Sequence, residues 1–176
     1  MVKEFDGKVR VVYMNMVVHE NVRQAHQYGC AAAKQGKFID YKDAFWTKSF
    51  GAYRNSGGKD ASTLTPEFIL RWAGEAGLDA DKLKSEGEGA DCQRRVEEDM
   101  RELRKFRVGG TPNFFVNGQH IGGRIPKEAM AELVKEKLKI AEASGVSGSD
   151  YYQKEILGKG EKTFKSKADA RKSKKP

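Results

Sequence analysis

The stretch Val108-Gly109-Gly110-Thr111-Pro112-Asn113-Phe114-Phe115-Val116-Asn117-Gly118 constrains the fold of this chain more than any other. Phe114-Phe115-Val116 favours a strand. Asn117-Gly118 accepts the left-handed conformation that both central residues of a type I′ hairpin need. The spacing predicts a strand over 111–116, a two-residue turn and a return strand over 119–123. Pro112 offers no N–H to a sheet, so it belongs at the first position of its strand. The two glycines before it allow a sharp approach. A cis Thr111–Pro112 bond would accommodate that approach, and so would a trans proline marking the strand start; local sequence does not separate the two.

The preceding chain is helical. Residues 20–34 place Val22, Ala25, Gly29, Cys30 and Ala33 at helical spacing, and Gly36 ends that helix. Phe38, Tyr41, Ala44, Phe45 and Trp46 open a second helix with an aromatic face, followed by a loop over 54–60. Thr65-Pro66 reads as an N-cap with proline at the first helical position. The helix after it should bury Phe68, Ile69, Trp72 and Ala76 and stop at Gly77. A short helix over 79–85, a longer one over 90–106 striped by Cys92, Val96, Met100, Leu103 and Phe106, and a last amphipathic helix after Pro126 complete the pattern. At the other end, residues 8–16 are rich in β-branched and aromatic side chains and predict a mostly buried strand.

The formal net charge is +8 in 176 residues, which raises the question of nucleic-acid binding. Its location argues against that function. Residues 151–176 hold nine Lys/Arg and three Asp/Glu, so +6 of the +8 belongs to the tail. A basic tail ending Lys172-Ser173-Lys174-Lys175-Pro176 is expected to be a solvated extension. No run approaches the roughly 18 apolar residues of a membrane span. Residues 1–8 have neither the apolar core nor the small-residue site of an export signal, so the chain as written would be cytoplasmic.

Residues 8–16 with His19, then Ala31-Ala32-Ala33-Lys34-Gln35-Gly36-Lys37-Phe38, then residues 108–118, together resemble the DsbA-like family of thioredoxin-fold proteins. The resemblance runs from about Phe5 to Ile140 and implies an α/β fold: a thioredoxin-like sheet with an all-helical insertion over about 20–107, inside a domain over 1–143. Residues 144–176 would be a Gly/Ser linker and the basic tail. The resemblance also implies a cis Thr111–Pro112 bond, with Thr111 offering its backbone to an extended substrate peptide and Pro112 shaping that contact. Cysteine-containing proteins outside the cytoplasm would then be the partners, and thiol–disulfide exchange the activity. Neither a cofactor nor a metal is implied.

The catalytic pair does not carry over. Relatives place Cys-x-x-Cys at a helix start, where the helix N-terminus favours the thiolate. This chain has two cysteines, Cys30 and Cys92, far apart in sequence. The family pattern would put the motif, a strand and most of a helix ahead of Met1. No residue is therefore assigned a catalytic role, and the chain is expected to be redox-inactive. The absent strand is central in the family's sheet, and losing it would leave unpaired backbone groups costing about 1–3 kcal/mol each against a total stability of about 5–15 kcal/mol. A reading frame that starts too late is the favoured explanation. Completion of the sheet by another chain, including self-association, and collapse of the two flanking strands onto each other are the alternatives.

Cys30 and Cys92 both fall on apolar helix stripes, so two separate core thiols are one reading and a structural disulfide in an exported protein is another. His26 and Cys30 share a helix face, but a metal or nucleophile site lacks further members. His120 reads as a surface residue. Besides the oxidoreductase, two other functions fit: a degenerate thioredoxin-fold binding or chaperone-like module, and an isomerase or glutathione-dependent transferase of the same superfamily.

Overall fold

The structure is a computed structural model and describes residues 2–165. Lys172 to Pro176, and with them the end of the basic tail, lie outside the described residues. The described chain separates into two compact units, Asn15–Glu102 and the stretches on either side of it.

The unit Asn15–Glu102 is helical. A 3-10 turn (Glu20–Val22) leads into α1 (Arg23–Lys34). Gly36, at φ +70°, closes α1: its N–H donates to the Ala33 carbonyl at 3.0 Å and that of Lys37 to Ala32 at 2.8 Å. This is the paired closure a left-handed residue after a helix makes available. Helix α2 (Phe38–Ala44) passes through a π-helical turn (Phe45–Ser49) into α3 (Phe50–Asn55). Helix α4 (Pro66–Ala73) is capped by Thr65, whose Oγ1 accepts the Phe68 N–H at 3.3 Å, and its run ends at Gly77, φ +73°. Asp79 likewise caps α5 (Ala80–Gly87) through the Lys82 N–H at 3.0 Å. Helix α6 (Ala90–Lys105) follows.

The core of this unit is built on Tyr28, Tyr41, Ile69, Trp72, Leu83 and Cys92. The polar atoms of two of its buried aromatics, Trp72 and Tyr41, find partners, whereas Glu86 Oε2 in the same unit is buried without one. The Trp72 indole N–H donates to Ser49 Oγ at 2.9 Å, and the Tyr41 hydroxyl donates to the Ala25 carbonyl at 2.7 Å. Burial, with the Glu88 carboxylate second, pushes the Tyr28 phenol up to about 12. Burial alone is the leading cause that drives Tyr41 well above its ordinary range. The α1–α5 packing depends on Gly87: a Cβ there would lie 2.3 Å from Tyr28 Cδ1.

In the other unit, β1 (Asn113–Val116) and β2 (Gln119–Gly122) pair antiparallel, with Phe114 opposite Ile121 and Phe115 opposite His120. Asn117 at φ 45° and Gly118 at φ 85° make the turn type I′. Strand β1 begins two residues later than the sequence predicts, because Thr111 and Pro112 lie outside the ladder. Helix α7 (Lys127–Ala143) packs on β1 and buries Met130 and Val134; α8 (Gly148–Tyr151) and a π-helical turn (Tyr152–Leu157) follow.

Residues 8–16 correct the sequence reading. They form no strand, and Val11 to Met14 are exposed, Val12 at 62%. The physical reason is non-local: β propensity needs a hydrogen-bonded neighbour, and among the described residues β1 and β2 pair only with each other. The alternative in which this segment collapses onto β1 is not what the described residues form. The fold is thus mainly helical with a two-stranded sheet.

Candidate functional site

The loop before β1 is held from both sides by ordinary hydrogen bonds. Asn113 Nδ2 donates to the Gly110 carbonyl at 2.7 Å, which leaves Asn113 Oδ1 to accept from His120 Nε2 at 2.6 Å. That polarity places the His120 proton on Nε2. The hairpin register makes this possible, because Asn113, Phe115, His120 and Gly122 share one face of the ribbon. On the same face the rings of Phe115 and His120 stack at 4.8 Å, and Phe106 meets Phe115 edge-on at 5.5 Å. Behind the loop, the Gly123 N–H donates to the Pro112 carbonyl at 2.9 Å.

Between these restraints lie Thr111 and Pro112, both exposed and joined by a cis peptide bond. Among the described residues, the Thr111 N–H and C=O have no backbone partner. The chain here is hydrogen-bonded on both sides, solvent-facing and unpaired in its own backbone. Chemically it can donate and accept one backbone hydrogen bond each, as an added strand requires. A thiol is not part of the arrangement.

Cys30 and Cys92 are joined to each other in the helical unit, with Cα atoms 5.6 Å apart. The reading as two separate core thiols is thereby replaced, and His26 has no free thiol beside it. His26 Nδ1 lies 3.3 Å from Asn15 Oδ1, and its pKa is lowered by burial first and by the Arg23 charge second. The nearby Asp99, 3% exposed, accepts both the Asn15 N–H at 2.9 Å and Asn15 Nδ2 at 2.8 Å on one oxygen. The aromatic side chains of 38–53 are used within the helical unit: Trp46 meets Phe50 at 4.8 Å and Tyr41 meets Trp72 at 5.6 Å. The sequence reading missed Asn113 and His120 as positioning residues. The signal was the Asn117-Gly118 turn, which fixes their shared face.

A family model for the DSBA-like thioredoxin domain matches residues 7–135. The chain belongs to that family. A curated relative of this DSBA-like domain is the Na(+)/H(+) antiporter NhaA 3 of Salinispora tropica, 28% identical over 117 residues. Those residues are 66% of this chain and 16% of the antiporter, so the chain spans a small part of that relative's length. No solved structure matches the chain. Among the described residues, no helix is long and apolar enough to cross a membrane.

Proposed function

We propose that the DSBA-like chain supplies the peptide-binding edge of a thiol–disulfide oxidoreductase that acts on protein cysteines outside the cytoplasm, and that these 176 residues do not themselves exchange disulfides. The observation that carries the reading is the exposed, unpartnered Thr111 backbone, clipped in place by Asn113 and His120. A backbone segment whose groups are solvated and held in place beside a strand loses little conformational entropy when an extended peptide adds to it. The Cys30–Cys92 bond supports an oxidising compartment, since such bonds persist there. The negative half rests on chemistry: a disulfide exchanger needs a low-pKa, accessible thiolate, and Cys92 is fully buried while Cys30 is bonded to it.

Two assays test the two halves. Insulin reduction driven by dithiothreitol should run no faster with the chain than without it. Acceleration would overturn the negative half, and its loss in Cys30→Ala/Cys92→Ala would trace it to those cysteines. Titration of the 15N-labelled chain with a neutral extended peptide should shift the Thr111 and Asn113 amides ahead of the rest; no shift there would overturn the binding half.

A further inference from the structure

Residues 103–127 contain five Lys/Arg (Arg104, Lys105, Arg107, Arg124 and Lys127) and no Asp or Glu. This single-signed segment encloses the Thr111 loop. Stretches without a carboxylate also occur at 21–39 and 44–59, so what distinguishes this one is its place around the Thr111 loop and the state of its cations. Lys127 is engaged with Glu4 at 2.9 Å, and the Arg107 guanidinium rests over the Phe164 ring at 4.8 Å from its centroid. Arg104 and Arg124 are exposed and have no ion-pair partner among the described residues. Arg124 is placed by the backbone itself, since it follows Gly123, whose N–H is bonded to the Pro112 carbonyl.

Resting on the peptide-binding reading above, we propose that the segment accepted at Thr111 is an acidic one: an extended polypeptide with Asp or Glu within a few residues of the docked position, read by Arg124. An added strand advances about 3.3 Å per residue, so the flanking side chains of such a strand come within the reach of an arginine beside Pro112. Arginine also suits the task chemically, because its planar fork receives a carboxylate in two parallel hydrogen bonds. The unpaired Thr111 amide and carbonyl favour a polypeptide over a nucleic acid, which has no matching row of backbone N–H and C=O groups. Steering by one sign of charge raises encounter rates and rejects basic segments.

The test uses the full chain and three peptides of one neutral core, flanked by Glu, Gln or Lys, read by the Thr111 and Asn113 amide shifts. The Glu peptide should bind about three- to tenfold more tightly than the Gln peptide at low salt, and the Lys peptide correspondingly more weakly. The order should flatten as salt shortens the Debye length to about 3 Å near 1 M. Arg124→Glu should reverse the order with the remaining amide spectrum unchanged. Equal affinity for all three peptides sinks the charge inference and leaves the peptide reading standing. No shift with any peptide sinks both. Tighter binding of a single-stranded oligonucleotide at the same amides overturns the acidic-peptide assignment in favour of nucleic acid. An order that survives Arg124→Glu moves the charge effect elsewhere in the chain and overturns it also.

Discussion

Reducing the Cys30–Cys92 bond should cost this protein a large share of its stability. The bond links α1 to α6 and closes a loop of sequence separation 62. Chain-entropy reasoning for a loop of that length gives roughly 14 cal/mol/K, or about 4 kcal/mol at 25 °C, through the freedom regained by the unfolded chain. For a protein of this size that corresponds to a melting temperature lower by about 8–17 °C, and to a urea midpoint lower by about 1.5–2 M. Tryptophan fluorescence is the fitting probe, because Trp46 and Trp72 are the chain's two tryptophans and both lie in the unit that holds the bond. The urea slope should rise on reduction, since an uncrosslinked unfolded chain exposes more surface. Cys30→Ala/Cys92→Ala in non-reducing buffer should match the reduced wild type, less about 1 kcal/mol for the atoms removed from a fully buried site. Two findings refute the reasoning: a thiol titration of the untreated, unfolded protein that counts two free cysteines, or oxidised and fully reduced curves that overlay within about 0.5 kcal/mol.

Three further outcomes follow from the helical unit. Gly87→Ala should destabilise by about 1–3 kcal/mol despite the better helix propensity of alanine, because the new Cβ would sit 2.3 Å from the fully buried Tyr28 ring; Gly109→Ala, with open space around it, is the control in the same denaturation assay. Asp99→Ala should cost about 2–4 kcal/mol by leaving the Asn15 N–H and Nδ2 without their acceptor, and amide exchange at Asn15 should accelerate. Burial lowers the His26 pKa below 6.5 in the folded state, so the unfolded chain binds this proton more readily. Stability from His26 is therefore present above about pH 6.5 and is lost as pH falls from there toward the lowered value. His26→Gln should flatten that part of a pH series of urea midpoints, and an unchanged slope would exclude His26 as its source.

The parts of the fold legible in the sequence are those set within a few residues. Gly36 and Gly77 end helices because the left-handed region is open to glycine, and Thr65-Pro66 opens α4 for a matching local reason. Asn117-Gly118 gives the hairpin its turn and, through the turn, its register. What escapes such reading is pairing at a distance. Residues 8–16 have strand propensity but no neighbour to satisfy it, so composition misleads there. The apolar positions of Cys30 and Cys92 are local facts; that the two sulfurs meet is a property of how α1 and α6 pack. The hydrogen bond from Trp72 to Ser49 belongs to the same class, as it depends on a π-helical turn that no residue pattern announces. At the candidate site, the Thr111 loop is a local sequence feature, whereas the His120–Asn113–Gly110 chain that steadies it emerges only once the two strands are aligned.

Val11 to Met14 present four consecutive water-facing, largely apolar side chains on backbone that is in neither helix nor strand. The cation that would keep neighbours away, Arg10, lies over the Tyr152 ring, 5.3 Å from its centroid, and Lys8 is tied to Glu142 at 2.8 Å. With its natural guards occupied, this strip is the expected starting point of precipitation in a concentrated sample. A lysine in place of Val12 touches no packed surface, and it should lengthen the time such a sample stays clear without altering its melting curve.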